Sequence, residues 1–293
     1  MTRAGAWAGA LLVAAGAALF GTVGTAQALG PTAPATALAS LRLLLAAVIL
    51  LALAVPHGVP ALRTAWRVPA VWLAGVAQAA FNVTFLSAVS RTGVAVGTLI
   101  AIGCTPILTG LFTRRVSRVW VASTSLALLG LVLLLSGDLD GRLTPVGVAF
   151  ALGASASYAV FIVASASIGR NPVETTVAIA AIFTVAAIVL APALTGRLGW
   201  AGTPSGAAMV AYLAIGATVV AYGCFNRGLA VVLPSTAATL ALVEPLVAAL
   251  LGVIVLDERL SALAWCGAVL VLGALVVMVR GLRPVVLAGE LAP

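Results

Sequence analysis

Long apolar runs separated by short polar turns organise this chain. Ten runs of about 20 residues stand at 7–27, 33–54, 69–89, 93–112, 119–136, 145–166, 175–195, 206–226, 235–255 and 262–279. At 1.5 Å per residue, a helix of that length crosses a hydrocarbon core of about 30 Å. Every backbone polar group in lipid needs an internal partner, so these runs predict helices. Barrel strands would alternate apolar and polar residues over about ten positions, and these runs do not. The longest connection, 55–68, has 14 residues, so no extramembrane domain fits between spans.

The first run imitates a secretory signal. Arg3 precedes it, and Ala26-Gln27-Ala28 reads as a small-residue cleavage site. Its apolar stretch from Trp7 to Gln27 covers 21 residues, longer than the usual 7–15 of a signal core. More membrane-type sequence follows, so this run is expected to remain as a span.

Composition agrees. Apolar residues make up 63% of the chain and charged residues 8%, against roughly 25% charged in soluble domains. So few charges cannot cover the surface of a soluble fold of this size. The net charge is +8 and every basic residue is Arg. These Arg residues are scattered singly between apolar runs, so no basic stripe for nucleic acid exists. They read instead as charges flanking spans. With the N-terminus inside, the inner side holds ten (Arg3, Arg63, Arg67, Arg114, Arg115, Arg118, Arg170, Arg227, Arg280 and Arg283) and the outer side four (Arg91, Arg142, Arg197 and Arg259). That bias predicts both termini in the cytoplasm. Absence of Lys and abundance of Ala point to a GC-rich bacterial genome, so the expected location is the bacterial inner membrane.

Two segments repeat. Phe20 to Pro34 and Tyr158 to Pro172 are both 14 residues apart, offset by 138. Thr105-Pro106 recurs as Glu244-Pro245, offset by 139, each followed by a charged turn (Arg114-Arg115; Asp257-Glu258-Arg259). The chain therefore divides into 1–140 and 141–293, five spans each. An odd number of spans sends the second half in from the opposite side, which makes an inverted-topology repeat. The predicted fold class is an all-α membrane protein of ten transmembrane helices in two inverted five-helix repeats.

One resemblance is specific. The stretch Glu244 to Gly252 (EPLVAALLG), then Leu256-Asp257-Glu258-Arg259-Leu260-Ser261, then Gly267 and Gly273, resembles the closing signature of EamA-type proteins of the drug/metabolite transporter superfamily. The run Leu41-Arg42-Leu43-Leu44-Leu45-Ala46 resembles the second-span motif of that family. Asp257 stands where the family usually has Gly, a departure confined to a loop. The resemblance implies two EamA-like repeats, a central cavity between them and a metabolite transporter, often an exporter. It implies no particular substrate.

Only Arg42 and Glu244 put charge inside the spans. Each lies nine residues in, hence roughly 14 Å deep and near the midplane. A charge there costs about 2.5–3.5 kcal/mol by insertion scales, so both are functional candidates. Glu244 can bind an amino group or carry a proton; Arg42 can hold a carboxylate. Alternatively the two neutralise each other, or Arg42 snorkels outward. On a continuous helix Ala237, Leu240, Ala241 and Ala248 would share the Glu244 face. Pro245 and Pro106 should kink matching spans, and paired breaks point to a transporter site. Gln78 and Asn82 share one face of the third span. They serve either a polar substrate or interhelical bonding. Tyr158, Tyr222 and Asn226 are weaker candidates of the same type.

Other features have plainer readings. Trp7, Trp66, Trp72 and Trp265 at span ends suit an aromatic belt. Gly93 with Gly97, and Gly5 with Gly9, are read as helix packing. Asp138 and Asp140 beside Gly137 and Gly141 lack the further ligands of a calcium loop. Cys104, Cys224 and Cys266 match no zinc, haem or redox spacing and are expected as buried packing residues. No metal or cofactor is expected.

The sequence thus favours a secondary transporter working by alternating access at a midplane cavity. Its cavity suits amino acids or other small metabolites, with protons an open coupling ion. The expected partners are that solute and membrane lipid, with no nucleic acid, and the chain is expected as a monomer or homodimer. No P-loop occurs, so transport is not driven by its own ATP hydrolysis. An intramembrane enzyme would need clustered ionisable groups, yet the one His, His57, sits in a loop. A channel would need a selectivity ring supplied by oligomers.

Overall fold

The computed structural model describes residues 3–114, 116–138, 144–169, 171–194, 196 and 198–282. These residues form helices and turns, with no strand among them. Ten helical rods run in sequence. They are Ala4–Leu29, Ala35–Ala54, Pro69–Thr92, Val94–Thr113, Arg118–Leu134, Pro145–Ile168, Thr175–Leu190, Pro204–Leu229, Pro234–Leu256 and Ala262–Arg280. Nine segments among the described residues are long and apolar enough to cross a membrane. The fifth rod is a shorter apolar helix of 17 residues. The chain is a multi-pass membrane protein.

Helix starts follow local chemistry. The fifth, sixth, eighth and tenth rods begin on Ser117, Thr144, Thr203 and Ser261, whose hydroxyls accept from backbone N–H groups two or three residues into the helix. Pro opens the third, sixth, eighth and ninth, where its missing N–H costs nothing. Gly93, with φ of 83°, makes the tight reversal between the third and fourth rods, a conformation that an L side chain rarely adopts.

The rods pack in matched pairs. The third lies on the sixth, and the first on the eighth. The fourth lies on the sixth, and the first on the ninth. The third meets the seventh, and the second meets the eighth. The second also packs on the seventh, and the fifth on the tenth. Exchanging each of the first five rods with its partner five places later turns every contact in this set into another member of it. Small residues permit the close approach. A Cβ on Gly16 would stand 2.5 Å from the Ala221 carbonyl oxygen, and one on Gly9 would run into Val231.

Several expectations need correction. The connection 55–68 is not plain coil: Gly58–Trp66 is a helix of nine residues whose apolar side packs on the seventh rod. The ninth rod is interrupted at residues 241–242, between Pro234–Leu240 and Val243–Leu256. Ala237, Leu240 and Ala241 therefore do not share a continuous helical face with Glu244. The paired breaks occur on one side only, because Pro106 lies inside an unbroken helix. Thr105 and Thr109 there bond back to the carbonyls of Ala101 and Thr105, at 2.7 and 2.8 Å, and steady the turns around the proline. Cys104 and Cys224 are only partly buried, and Cys266 is exposed on the outside of the bundle. Lipid there is as apolar as the interior, so a thiol has no reason to hide. Arg115, Arg142, Arg170, Arg197 and Arg283 of the charge count lie outside the described residues. So do Asp140, Gly141 and the side chains of Arg3 and Asp138.

Candidate functional site

Six rods enclose one cavity of about 120 Å³. The first contributes Phe20, Val23 and Gln27; the second Ala35, Leu38, Ala39 and Arg42; the third Phe81, Asn82, Phe85 and Leu86. Tyr158 comes from the sixth, Leu213, Ala217 and Tyr222 from the eighth, and Glu244 from the ninth. Each lining residue sits at the middle of its rod or between there and the side of the 30–34 turn. Gln27 and Ala35, beside that turn, are exposed. The cavity therefore opens on the side opposite the chain ends.

The other side is sealed by rings. Phe161, Phe183 and Phe225 are fully buried. Tyr222 packs against Phe161, Phe183 and Phe20 with centroids 5.5, 4.7 and 4.6 Å apart. Tyr158 packs against Phe81, Phe161 and Phe225 at 5.2, 6.2 and 6.4 Å. Aromatic contacts of this geometry add about 0.5–1.5 kcal/mol each beyond their burial. Together they form a floor that water does not cross.

Polar side chains line the wall in a defined order. Arg42 Nη2 donates to Asn82 Oδ1 at 3.1 Å. Asn82 Nδ2 donates to the Gln78 carbonyl at 2.9 Å. Gln78 Nε2 donates to the Tyr222 hydroxyl at 2.8 Å, across 144 residues of sequence. Asn82 thus orients the guanidinium, while Gln78 stands behind Tyr222 and outside the cavity lining. Arg42 Nε, Gln78 Oε1 and the Tyr158 hydroxyl are buried without a partner. Unpaired polar groups in such surroundings cost about 1–3 kcal/mol each, so they mark contacts that a bound solute can complete.

Glu244 occupies the second position of the helix Val243–Leu256, just past the interruption. The positive end of that half-helix faces its carboxylate, which eases the cost of a charge at this depth. Among the described residues it forms no ion pair with Arg42; the ion pair present there joins His57 and Glu174. Arg42 and Glu244 therefore offer opposite charges to one space from two walls. No group of three or more His, Cys, Asp or Glu suited to a metal occurs among the described residues.

Of the residues singled out from sequence, Arg42, Asn82, Tyr158, Tyr222 and Glu244 meet at this cavity. Gln78, Pro106 and Pro245 do not line it. Phe20, Gln27, Phe81 and Phe85 line it without having been read as site residues. Aromatic side chains within apolar runs give no contrast. Yet Gln78, Asn82 and Phe85 fall at helical spacing on one stripe, and that spacing was the available signal.

The EamA-like transporter family matches over residues 145–280. An uncharacterized transporter of Bacillus subtilis strain 168, YwfM, is 39% identical over 275 residues, 91% of this chain and 92% of that one. The chain belongs to the EamA-like transporter family. A crystal structure 23% identical in sequence superposes with a TM-score of 0.79, covering 92% of this chain and 95% of the other, which supports the fold. In this EamA-like transporter the matched region begins at the start of the sixth rod and ends with the tenth.

Proposed function

We propose that this transporter carries amino acids or similar small metabolites across the bacterial cell membrane, outward, by alternating access of two inverted five-helix halves. The observation that carries this reading is the cavity with Arg42 and Glu244 on separate walls. A solute bearing both a carboxylate and an ammonium group would satisfy both charges, the first by charge-assisted hydrogen bonds from Arg42. About 120 Å³ holds roughly ten water-sized groups, the bulk of a mid-sized amino acid. Phe20, Phe81 and Phe85 would receive an apolar side chain.

The matched packing of rods supports the division at residue 140 into inverted repeats, since exchanging the halves preserves the contacts. The Arg bias supports cytoplasmic termini, which would place the open cavity outside. Glu244 is the one carboxylate at the cavity and the natural carrier of a coupled proton. The aromatic floor favours a carrier over a channel, because a conducting pore needs continuity across the membrane.

Reconstituted protein loaded with unlabelled neutral amino acids should accumulate labelled amino acid by saturable counterflow. Charged and uncharged analogues lacking either end should compete poorly. Conductance without saturation, or no counterflow with any member of an amino-acid panel, would refute the reading.

A further inference from the structure

A second, smaller cavity of about 30 Å³ lies on the side of the chain ends. Ser165, Ala166, Ile168 and Gly169 of the sixth rod and its turn line it, with Ala178, Ile179 and Ile182 of the seventh and Asn226 of the eighth. Val173, Thr175 and Ala230 complete it. Its volume accommodates one or two waters. Ser165 is 8% exposed and Asn226 9%, and the Ser165 hydroxyl has no partner. No bond within the protein explains that buried hydroxyl.

The position of this cavity is not arbitrary. The second rod begins at Ala35 and the seventh at Thr175, 140 residues later. The second rod gives the main cavity Ala35, Leu38, Ala39 and Arg42. Moved by the same offset, these fall on Thr175, Ala178, Ile179 and Ile182, and all four line the small cavity. Leu86 of the third rod moves onto Asn226 of the eighth in the same way. Gln27 moves onto Ser165 by the offset of 138 that relates Phe20 to Tyr158. The two cavities therefore occupy corresponding places on opposite sides of the bundle. Only the charges lack counterparts: Arg42 maps to Ile182, and Glu244 maps to Thr105.

One turn of helix separates them. Tyr222 lines the main cavity, and Asn226, four residues on, lines the small one while donating to the Tyr222 carbonyl at 3.0 Å. Four residues rise about 6 Å. The Tyr222 ring fills that interval, held at its hydroxyl by Gln78. Just before it, Ile215–Val220 is a π-helical turn, with the Thr218 hydroxyl bonded to the Leu213 carbonyl at 2.8 Å. Such turns carry one extra residue, and releasing it rotates everything beyond by about 100°.

We propose that the Ser165–Asn226 cavity is a second station for the transported solute, the counterpart of the Arg42–Glu244 cavity, shut by Tyr222 in the position that Gln78 fixes. This rests on the carrier reading above. The station offers a hydroxyl and an amide but no charge. It holds a zwitterion weakly, which suits release rather than capture.

Cysteine accessibility tests this in full-length protein with Cys104, Cys224 and Cys266 replaced by Ala. The probe is a membrane-impermeant quaternary-ammonium methanethiosulfonate applied to vesicles of each orientation. Ser165→Cys should react only from the side of the termini. Adding Gln78→Ala should speed that reaction at least tenfold and slow the reaction of Gln27→Cys from the opposite side. Ala154→Cys, fully buried elsewhere, should stay unreactive and so report that the bundle has not loosened. Rates at positions 165 and 27 that rise together, or no reaction at 165 in either background, would overturn the second station. Amino-acid counterflow by the cysteine-free parent judges the carrier reading separately. Counterflow without reciprocal labelling removes the station alone, whereas absence of counterflow removes the transport assignment.

Discussion

Arg42 and Glu244 face the same cavity from the second and ninth rods without forming an ion pair, and Arg42 donates to Asn82 at 3.1 Å instead. Two charges that neutralised each other would tolerate exchange. Two charges that hold opposite ends of a solute would not, because the rest of each wall is fixed. Arg42→Gln and Glu244→Gln should each lower counterflow efficiency about 10- to 100-fold, the worth of one charged hydrogen bond. The swap Arg42→Glu with Glu244→Arg should fail to restore it. Elution as a single species would show that the fold persists. Recovery of flux in the swap would instead make the two a structural pair.

Much of this arrangement was visible in the chain itself. Arg42 and Glu244 stand out because charge inside an apolar run is costly, and five of the six proposed binding residues do converge. What was hidden depended on long-range contacts. Nothing local announces that Gln78 binds Tyr222, 144 residues away. Nor does it announce that Gln78 sits behind the cavity wall. The helix interruption at 241–242 was assigned to Pro245, but proline is well tolerated in a first turn, so the break falls ahead of it. Pro106 breaks nothing, because its neighbours supply hydroxyl bonds. The π-helical turn at Ile215–Val220 leaves no mark in a hydropathy pattern that treats every apolar residue alike.

The fifth and tenth rods cross at Gly130 and Gly267. A Cβ on Gly130 would lie 2.8 Å from the Gly267 carbonyl oxygen, and one on Gly267 would lie 2.5 Å from that of Gly130. Backbone cannot step aside as a side chain can. Gly130→Ala and Gly267→Ala should each destabilise by about 1–3 kcal/mol, the usual range for overpacking. Thermal unfolding in detergent should show it. Gly24 is the control, since a Cβ there meets nothing within 4 Å. Gly24→Ala should be neutral or stabilising by about 0.5–1 kcal/mol. Equal losses at all three positions would refute the crossing as the cause.

Thr124 and Thr239 join the fifth rod to the ninth through their hydroxyls, 2.8 Å apart and buried. The Trp120 indole adds a bond to the Ser235 carbonyl at 2.9 Å on the same seam. Hydrogen bonds between helices in lipid average about 0.6 kcal/mol and reach about 1.7. Thr124→Val and Thr239→Val should each cost an amount in that range. The double variant should cost less than their sum, because one bond is lost once. Strict additivity in equilibrium unfolding would show that the two hydroxyls act independently.

Glu174 and His57 make a final contrast between two contacts of one side chain. Glu174 caps the seventh rod: its Oε2 accepts from the N–H groups of Thr176 at 2.6 Å and Val177 at 3.1 Å. The same oxygen lies 3.5 Å from His57 Nε2, with the two side chains 45% and 37% exposed. Exposed ion pairs contribute about 0–1 kcal/mol and weaken with salt. Loss of a helix cap costs about 0.5–2 kcal/mol. The cap should therefore dominate. Glu174→Ala should lower the unfolding midpoint clearly more than His57→Ala, and adding His57→Ala to Glu174→Ala should change little further. Raising ionic strength should leave most of the Glu174 effect in place, because a carboxylate bonded to two backbone donors depends on geometry more than on a distant charge. An equal loss in the two single variants, abolished by salt, would show that the ion pair carries the stabilisation instead.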